Sequence, residues 1–306
     1  MSSIILAIGA SIFKTFSTLS EKQVLVRTEP AAFTASASLV IAFVSLPLLY
    51  FVDYSHIGNY ALAMTALCAA FSTVSAFSSA YVLKHLDISE SATLFALSPI
   101  VITFLAVVFL GEQLATIQFV GIGISCIGIF ILEGHRHSAK QEAHITPLGS
   151  NPSHIEIPLK HSTKSVLYVA LLVSLICFSS SAVLDRYIVH HLGVDPLLFL
   201  IIVQFFILLC FLIIDIFSRR GGAVESFDAQ ILKKRSFWAH IFFVVIHRIF
   251  HMFAVQGMGA GLLHAIKQSS VVFTTILGGK LFVEKHMVRR TIACVCVVLG
   301  VLLAII

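Results

Sequence analysis

The sequence predicts an all-α membrane protein with ten transmembrane helices, arranged as two inverted repeats of five helices each. Three observations predict this class: an apolar composition, ten apolar windows of membrane-spanning length, and one polar segment that divides the windows five and five. Apolar side chains make up 58% of the 306 residues and charged side chains 11%, and the mean hydropathy is +1.00. Soluble domains contain about 25% charged residues, so the composition excludes a soluble fold.

The ten apolar windows are long enough to cross a hydrocarbon core of about 30 Å. They lie at 3–20, 31–52, 58–83, 90–110, 115–133, 165–185, 196–217, 237–256, 261–282 and 289–306. Pro30 and Pro196 stand at the start of two windows, where proline is favoured because the first turn of a helix does not need its N–H. Transmembrane β-strands would be about 10 residues long and strictly alternating, a pattern that this sequence lacks.

A polar linker, residues 134–164, separates a first repeat, residues 1–133, from a second repeat, residues 165–306. The linker contains three prolines and few apolar residues, a composition typical of a solvated connection. Each repeat therefore contains five windows. Because five is odd, the second repeat must enter the membrane the opposite way up, which is the architecture of many secondary transporters.

Polar residues recur at matching places in the two repeats. A shift of 172 residues aligns Glu284 with Glu112 and Ser270 with Ser98. With slightly shorter offsets, the set Asp185, Arg186 and Pro196 echoes the set Glu21, Lys22 and Pro30. These coincidences favour an internal duplication over chance similarity between apolar helices.

The end of each repeat carries a pattern with a family resemblance. Residues 91–132, SATLFALSPIVITFLAVVFLGEQLATIQFVGIGISCIGIFIL, contain a helix with a central proline, a glutamate in a short turn and then spaced glycines. Residues 264–306 are similar, with Val271 in place of the proline and Ala293 in place of the first glycine. Both stretches resemble EamA domains of the drug/metabolite transporter superfamily. The resemblance implies ten helices in two inverted repeats and the transport of small metabolites.

Glu112 and Glu284 each lie in a short turn directly before an apolar window. At the membrane surface a carboxylate stays hydrated and stabilises the N-terminus of the helix that follows. We therefore expect these two residues to be capping glutamates on opposite membrane faces, with a direct role in transport as the alternative.

Functional side chains are expected deep within the windows, because a charge there costs about 3 kcal/mol and is retained for a reason. The deep ionisable residues are all basic: Lys14, His247, Arg248, His251, His264 and Lys267. All Asp and Glu residues lie away from the window centres, so Arg248 and Lys267 are predicted to lack an acidic partner. A rise of 1.5 Å per residue places the cations of the eighth and ninth windows at similar depth.

An unpaired cationic pocket predicts an anionic ligand. We expect a small-molecule substrate that is an organic anion, or a zwitterion held by its acidic end. The candidate substrate-binding residues are Arg248, His251, His264 and Lys267, with Lys14 and Ser75 as further candidates. Ser75 belongs to a hydroxyl-bearing face of the third window, which fits a cavity wall and close helix packing equally well.

Two other functions remain open at this point. Five histidines in the linker would suit a divalent-metal transporter, although their spacing is irregular and no cysteine accompanies them. A non-transporting membrane scaffold is the second alternative. An enzyme is not expected, because the deep histidines have no carboxylate to orient them. The sequence predicts no cofactor, no metal site within the windows and no nucleic-acid partner, and it does not indicate an oligomeric state.

The distribution of basic residues predicts the orientation. Fifteen Lys and Arg residues fall in loops after odd-numbered windows or, for Arg289 and Arg290, at the first two positions after such a loop, whereas the loops after even-numbered windows and the termini hold only Arg186. Basic loops stay in the cytoplasm, so the linker is predicted inside and both termini outside a cell membrane, expected to be the bacterial plasma membrane. The EamA resemblance implies the opposite, with cytoplasmic termini.

Overall fold

The computed structural model describes residues 2–54, 58–86, 88–95, 97–110, 161–220, 229–257, 260–267, 269–282 and 287–303, with single positions between 117 and 127. Over these ranges the chain is helical and contains no strand. Its α-helices are α1 (Ser2–Leu25), α2 (Pro30–Ser45), α3 (Asn59–His85), α4 (Ile88–Phe95), α5 (Ser98–Leu110), α6 (His161–Arg186), α7 (Pro196–Arg220), α8 (Arg235–Gly257), α9 (Ala260–Lys267), α10 (Ser269–Leu281) and α11 (Met287–Leu303).

Within the described ranges, six helical segments are long and apolar enough to cross a membrane. They are Ser3–Leu25, Pro30–Phe51, Asn59–His85, Ser165–His191, Pro196–Ile214 and Arg235–Gly257. They correspond to the first, second, third, sixth, seventh and eighth windows, so the chain is an all-helical, multi-pass membrane protein. The capping glutamates Glu112 and Glu284, most of the fifth window and residues 134–160 of the linker lie outside the described residues.

The fourth window differs from its prediction as one continuous span. α4 ends at Phe95, Leu97 forms a turn in which its N–H donates to Leu94 O at 3.2 Å, and α5 begins at Ser98. Pro99 explains this interruption, because proline has no N–H to donate to the carbonyl four residues earlier. The ninth window is described as α9 and α10, on either side of residue 268.

The two halves pack together through two reciprocal helix pairs. α1 lies against α8, where His247 Nδ1 and Ala10 O are 2.8 Å apart. α3 lies against α6, where Ser75 and Ser174 each donate from the hydroxyl to the carbonyl of the other at 3.2 Å. The first helix of each half therefore pairs with the third helix of the other half, as expected if the halves are related by a twofold axis.

In each half a basic side chain on the first helix binds the C-terminal end of the third helix. Lys22 Nζ donates to the carbonyls of Leu83 and, at 2.7 Å, Leu86 at the end of α3. Arg186 Nη1 donates to Val255 O at 2.5 Å near the end of α8. The last carbonyls of a helix lack intrahelical donors and favour a nearby cation. Leu83 and Val255 are themselves 172 positions apart.

The first helix of the second half continues beyond its predicted end at residue 185. α6 runs to Arg186, and a π-helical turn, Tyr187–His191, extends the segment. The prediction ended early because two adjacent charges, Asp185 and Arg186, lower the hydropathy of any window that contains them. Asp185 consequently lies inside a membrane-spanning segment, about 9 Å from its end at 1.5 Å per residue.

Candidate functional site

A cavity of about 240 Å³, here called the polar chamber, lies between helices of both halves. Its charged lining residues are Lys14, Glu21, Asp185, Arg248 and Lys267. An adjoining cavity of about 210 Å³, the apolar chamber, shares Lys14, Glu21 and Lys267 and adds side chains such as Phe95 and Val271. Small-molecule pockets begin at roughly 300 Å³, so the two chambers together offer space for a small metabolite.

His251 on α8 lies between an acid and a base at one end of the polar chamber. Its Nε2 is 3.8 Å from Asp185 Oδ2 on α6, and its Nδ1 is 3.3 Å from Lys267 Nζ on α9. The second carboxylate oxygen of Asp185 accepts a hydrogen bond from Cys68 Sγ at 3.1 Å. The side chains of Asp185, His251 and Lys267, here called the proton chain, thus form a continuous series across three helices.

Asp185 corrects the prediction that no carboxylate lies at the depth of the cations. That prediction was wrong because the sixth window was ended at the charge itself, whereas the helix continues past it. Glu21 also lines both chambers. The lining of the polar chamber therefore holds three formal positive charges against two negative charges, which is net cationic but contains acids.

Arg248 is held by an amide rather than by an acid. Its Nη1 donates to Gln204 Oε1 on α7, and Gln204 Nε2 donates to Ser38 O on α2 at 3.4 Å. Gln204 is buried, with 1% of its surface exposed. Because Gln204 is neutral, it orients the guanidinium of Arg248 towards the chamber without balancing its positive charge.

Lys14 enters the cavity from the middle of α1. Its side chain lines both chambers and is exposed there, because the chambers have room for water-sized molecules. Its backbone carbonyl accepts from Thr18 Oγ1, but no hydrogen bond or ion pair reaches its ammonium from the part of the chain that the structure describes. Lys14 is therefore available to a ligand.

The remaining two candidates lie at the same cavity in different roles. His264 is buried in the wall of the apolar chamber, with its ring 5.4 Å from that of His251 and 5.5 Å from that of Phe178. Ser75 lines both chambers, but its hydroxyl is engaged with Ser174 in the α3–α6 contact. The structure thus places all six predicted residues around the two adjoining chambers, where Ser75 serves close helix packing.

The cavity residues that were missed as site candidates include Glu21, Asp185 and Gln204. The echo between Glu21–Lys22 and Asp185–Arg186 was the available signal for the two acids, since a duplicated acid–base pair indicates a retained position. No comparable pattern marks Gln204. Among the described residues, no group of three or more His, Cys, Asp or Glu is placed to bind a metal ion.

Comparison with known proteins identifies the first half. Residues 1–133 match the model of the EamA-like transporter family. The match confirms the resemblance read from the sequence, and the family is part of the drug/metabolite transporter superfamily, whose EamA members are transporters rather than enzymes. A membrane transporter of small molecules is the activity that the EamA match indicates.

A solved structure titled only "Crystal structure of protein" is similar along nearly the whole chain. It is 16% identical, with a TM-score of 0.63, over 99% of this chain and 96% of that one. At this identity the similarity describes the fold alone. No curated protein matches the sequence.

Proposed function

We propose that this chain is a secondary transporter that moves a small organic anion or zwitterion across a cell membrane by alternating access. In this proposal residues 1–133 and 165–306 are two inverted five-helix EamA-like repeats, joined by the linker 134–164, with ten crossings in total. The reciprocal packing of α1 on α8 and α3 on α6, and the matching Lys22 and Arg186 caps, support two related halves.

The cavity between the halves is the observation that carries the proposal. Transporters built from repeats bind substrate at the repeat interface, and the polar chamber is lined by helices of both halves. Lys14 offers a cation with no described partner, and Arg248 offers a guanidinium held by a neutral amide. An acidic group on the substrate would neutralise this excess of positive charge.

The two carboxylates of the polar chamber favour a zwitterion within that class. Glu21 lies two turns beyond Lys14 on α1, about 10 Å along the helix at 1.5 Å per residue, and both line the same chamber. A substrate with an acidic end at Lys14 and Arg248 and an amino group at Glu21 would match both charges. The neighbouring apolar chamber would take a hydrocarbon part.

Thermal unfolding of the purified protein with a metabolite panel tests the substrate class. The panel contains monocarboxylates, organic phosphates, sulfonates, amino acids, simple amines and divalent cations, each at one concentration. We expect stabilisation by acids and amino acids and none by simple amines. Stabilisation by Zn²⁺ or Ni²⁺ alone would instead favour the metal-transport alternative that the linker histidines suggest.

Uptake into proteoliposomes tests transport itself. Arg248→Ala combined with Lys267→Ala should abolish uptake of the anions that stabilise the wild type, while the exposed Lys280→Ala on α10 serves as a matched loss of positive charge outside the cavity. If carboxylates and phosphates still cross with the double variant, the proposed anion site is wrong. If no panel compound crosses with the wild type, a scaffold becomes the better interpretation.

The orientation is proposed from charge, with both termini outside. A cysteine introduced at Ser150 in the linker should resist an impermeant thiol reagent applied to intact cells and react after permeabilisation. Labelling in intact cells would establish the opposite orientation, the one implied by the EamA resemblance.

A further inference from the structure

The proton chain at the end of the polar chamber has a defined hydrogen-bond direction. A charged lysine ammonium can only donate, so His251 Nδ1 accepts from Lys267 across 3.3 Å. A neutral imidazole then carries its hydrogen on Nε2, the nitrogen that lies 3.8 Å from Asp185 Oδ2. The geometry therefore directs hydrogens from the cavity side towards the carboxylate.

A different tautomer is required at the neighbouring histidine. His247 Nδ1 lies 2.8 Å from Ala10 O, and a carbonyl can only accept, so this nitrogen carries the hydrogen. The rings of His247 and His251 are nearly parallel, with centroids 6.1 Å apart. Of the two, His251 is the one with a hydrogen directed at an acid.

We infer that Asp185 binds an exchangeable proton, which reaches it from the cavity through Lys267 and His251. Lys267 gives a proton to His251 Nδ1, the ring passes its Nε2 proton to Asp185 Oδ2, and the neutral Lys267 amine takes up a proton from a hydronium ion of the acidic solution that reaches the cavity. The result is one added proton, a neutral carboxylic acid and the other imidazole tautomer. The 3.8 Å gap exceeds a hydrogen bond of about 3 Å, so His251 and Asp185 must approach for the transfer.

The surroundings of Asp185 combine groups that favour either protonation state. The groups that face it or lie beside it are Cys68 on α3, Arg186 on α6, His247, Arg248 and His251 on α8, Lys14 on α1, and His264 and Lys267 on α9. The cations stabilise the carboxylate, whereas the membrane-embedded helices around it penalise a charge. An anionic substrate bound at Lys14 and Arg248 would weaken the cationic side of this balance and promote proton uptake.

The proton site itself does not depend on transport, but its use as a coupling site rests on the proposed function. It would allow an anion and a proton to share one cavity, so that the loaded carrier gains less net charge.

Infrared spectroscopy of the purified protein, titrated with acid in the absence of substrate, tests the inference. The other carboxyl groups of the chain also absorb when they are protonated, so we expect one component of the carboxylic-acid C=O absorption to appear in the wild type as the pH falls and to be missing from Asp185→Asn. Glu21→Gln removes the acid at the corresponding place of the other half and should retain the Asp185 signal. His251→Gln should shift the pH midpoint of that signal, which a purely structural histidine would not do.

Each outcome decides the question. If the titrating signal is the same in the wild type and Asp185→Asn, the inference is wrong. If Asp185→Asn does not purify as a folded protein, an unchanged midpoint in His251→Gln overturns the chain in the same way. Loss of the titration with anion uptake intact would refute only the proton site, whereas intact titration without any uptake would refute only the transport proposal.

Discussion

The pairs Glu21–Lys22 and Asp185–Arg186 occupy corresponding places in the two halves and differ in an instructive way. The basic members do the same task, since Lys22 binds the end of α3 and Arg186 the end of α8. The acidic members do not. Asp185 contacts Cys68 and His251, whereas no hydrogen bond is found for Glu21 within the described ranges. Both halves thus have the helix cap, whereas among the described residues only the acid of the second half, Asp185, has a hydrogen-bond partner.

α4 and α9 also occupy corresponding places in the two halves and end in different side chains. Ile88 and Ala260, their first residues, are 172 positions apart, as are Phe95 and Lys267, their last residues. The second half thus places a cation at the cavity where the first half places an aromatic ring. At this pair of corresponding positions, the cavity therefore has a charged side chain on one side and an apolar side chain on the other.

Removal of the two capping side chains should cause the largest losses in the free energy of unfolding, and the loss should be greater for Lys22 than for Arg186. Lys22 is 8% exposed, so Lys22→Met leaves buried carbonyls unpaired and should cost about 3 kcal/mol. Arg186→Met should cost about 1.5 kcal/mol, because Arg186 is less buried and water can replace its bond. Denaturant unfolding in detergent micelles measures both free energies, and equal losses would contradict the difference in burial.

Substitutions to methionine at the last residues of α4 and α9 should affect ligand binding unequally. Lys267→Met removes a charged hydrogen-bond donor worth about 1.5–3 kcal/mol, so affinity for an anion from the panel should fall about tenfold to a hundredfold. Phe95→Met replaces one apolar side chain by another at the matching place and should change affinity only a few-fold. Calorimetric titration gives both values, and comparable losses would show that charge is not what separates the helices.

A methyl group added at the contact of α10 with α4 should destabilise the protein more than a methyl group removed at the corresponding position of α5. A Cβ on Gly278 would lie 2.6 Å from Ile88 Cγ2, so Gly278→Ala should cost about 1–3 kcal/mol through overpacking. The residue 172 positions earlier is Ala106, which is buried, and Ala106→Gly should cost about 0.5–1 kcal/mol from backbone entropy. The unfolding assay applies here too, and a stable Gly278→Ala protein would mean that α4 can move away.

A small effect, on binding alone, is expected at His264. His264→Phe keeps the edge contact with Phe178 and the ring packing beside His251 but removes the ring nitrogens. We expect an unchanged unfolding free energy and a loss of about 0.5–1.5 kcal/mol in anion affinity. A stability loss without a binding loss would assign His264 to packing alone.

Several features of the site follow from sequence because they depend on local chemistry. A rise of 1.5 Å per residue placed His251 and Lys267 at similar depth, and the structure has them 3.3 Å apart. Pro30 and Pro196 correctly mark the first residues of α2 and α7. The first EamA-like region was recognised from the spacing of its proline, glutamate and glycines, and the family match confirms it.

Other features depend on tertiary structure that hydropathy does not record. A charge lowers the hydropathy of a window whether the helix ends there or continues, so Asp185 was placed at an end. The amide of Gln204 and the bond between Ser75 and Ser174 join helices far apart in sequence. The membrane orientation and the number of crossings stay predictions from charge and repeat symmetry.

The π-helical turn at Tyr187–His191 lies at a place where the two halves differ in length. Ten positions separate Arg186 from Pro196, whereas eight separate Lys22 from Pro30. A π turn accommodates extra residues within a helix, so an insertion at this place can widen the helix rather than lengthen the loop. The offset between corresponding residues changes here from 164 to 166, which is part of the reason that an alignment with the single offset of 172 pairs Asp185 with Phe13 of α1 instead of Glu21.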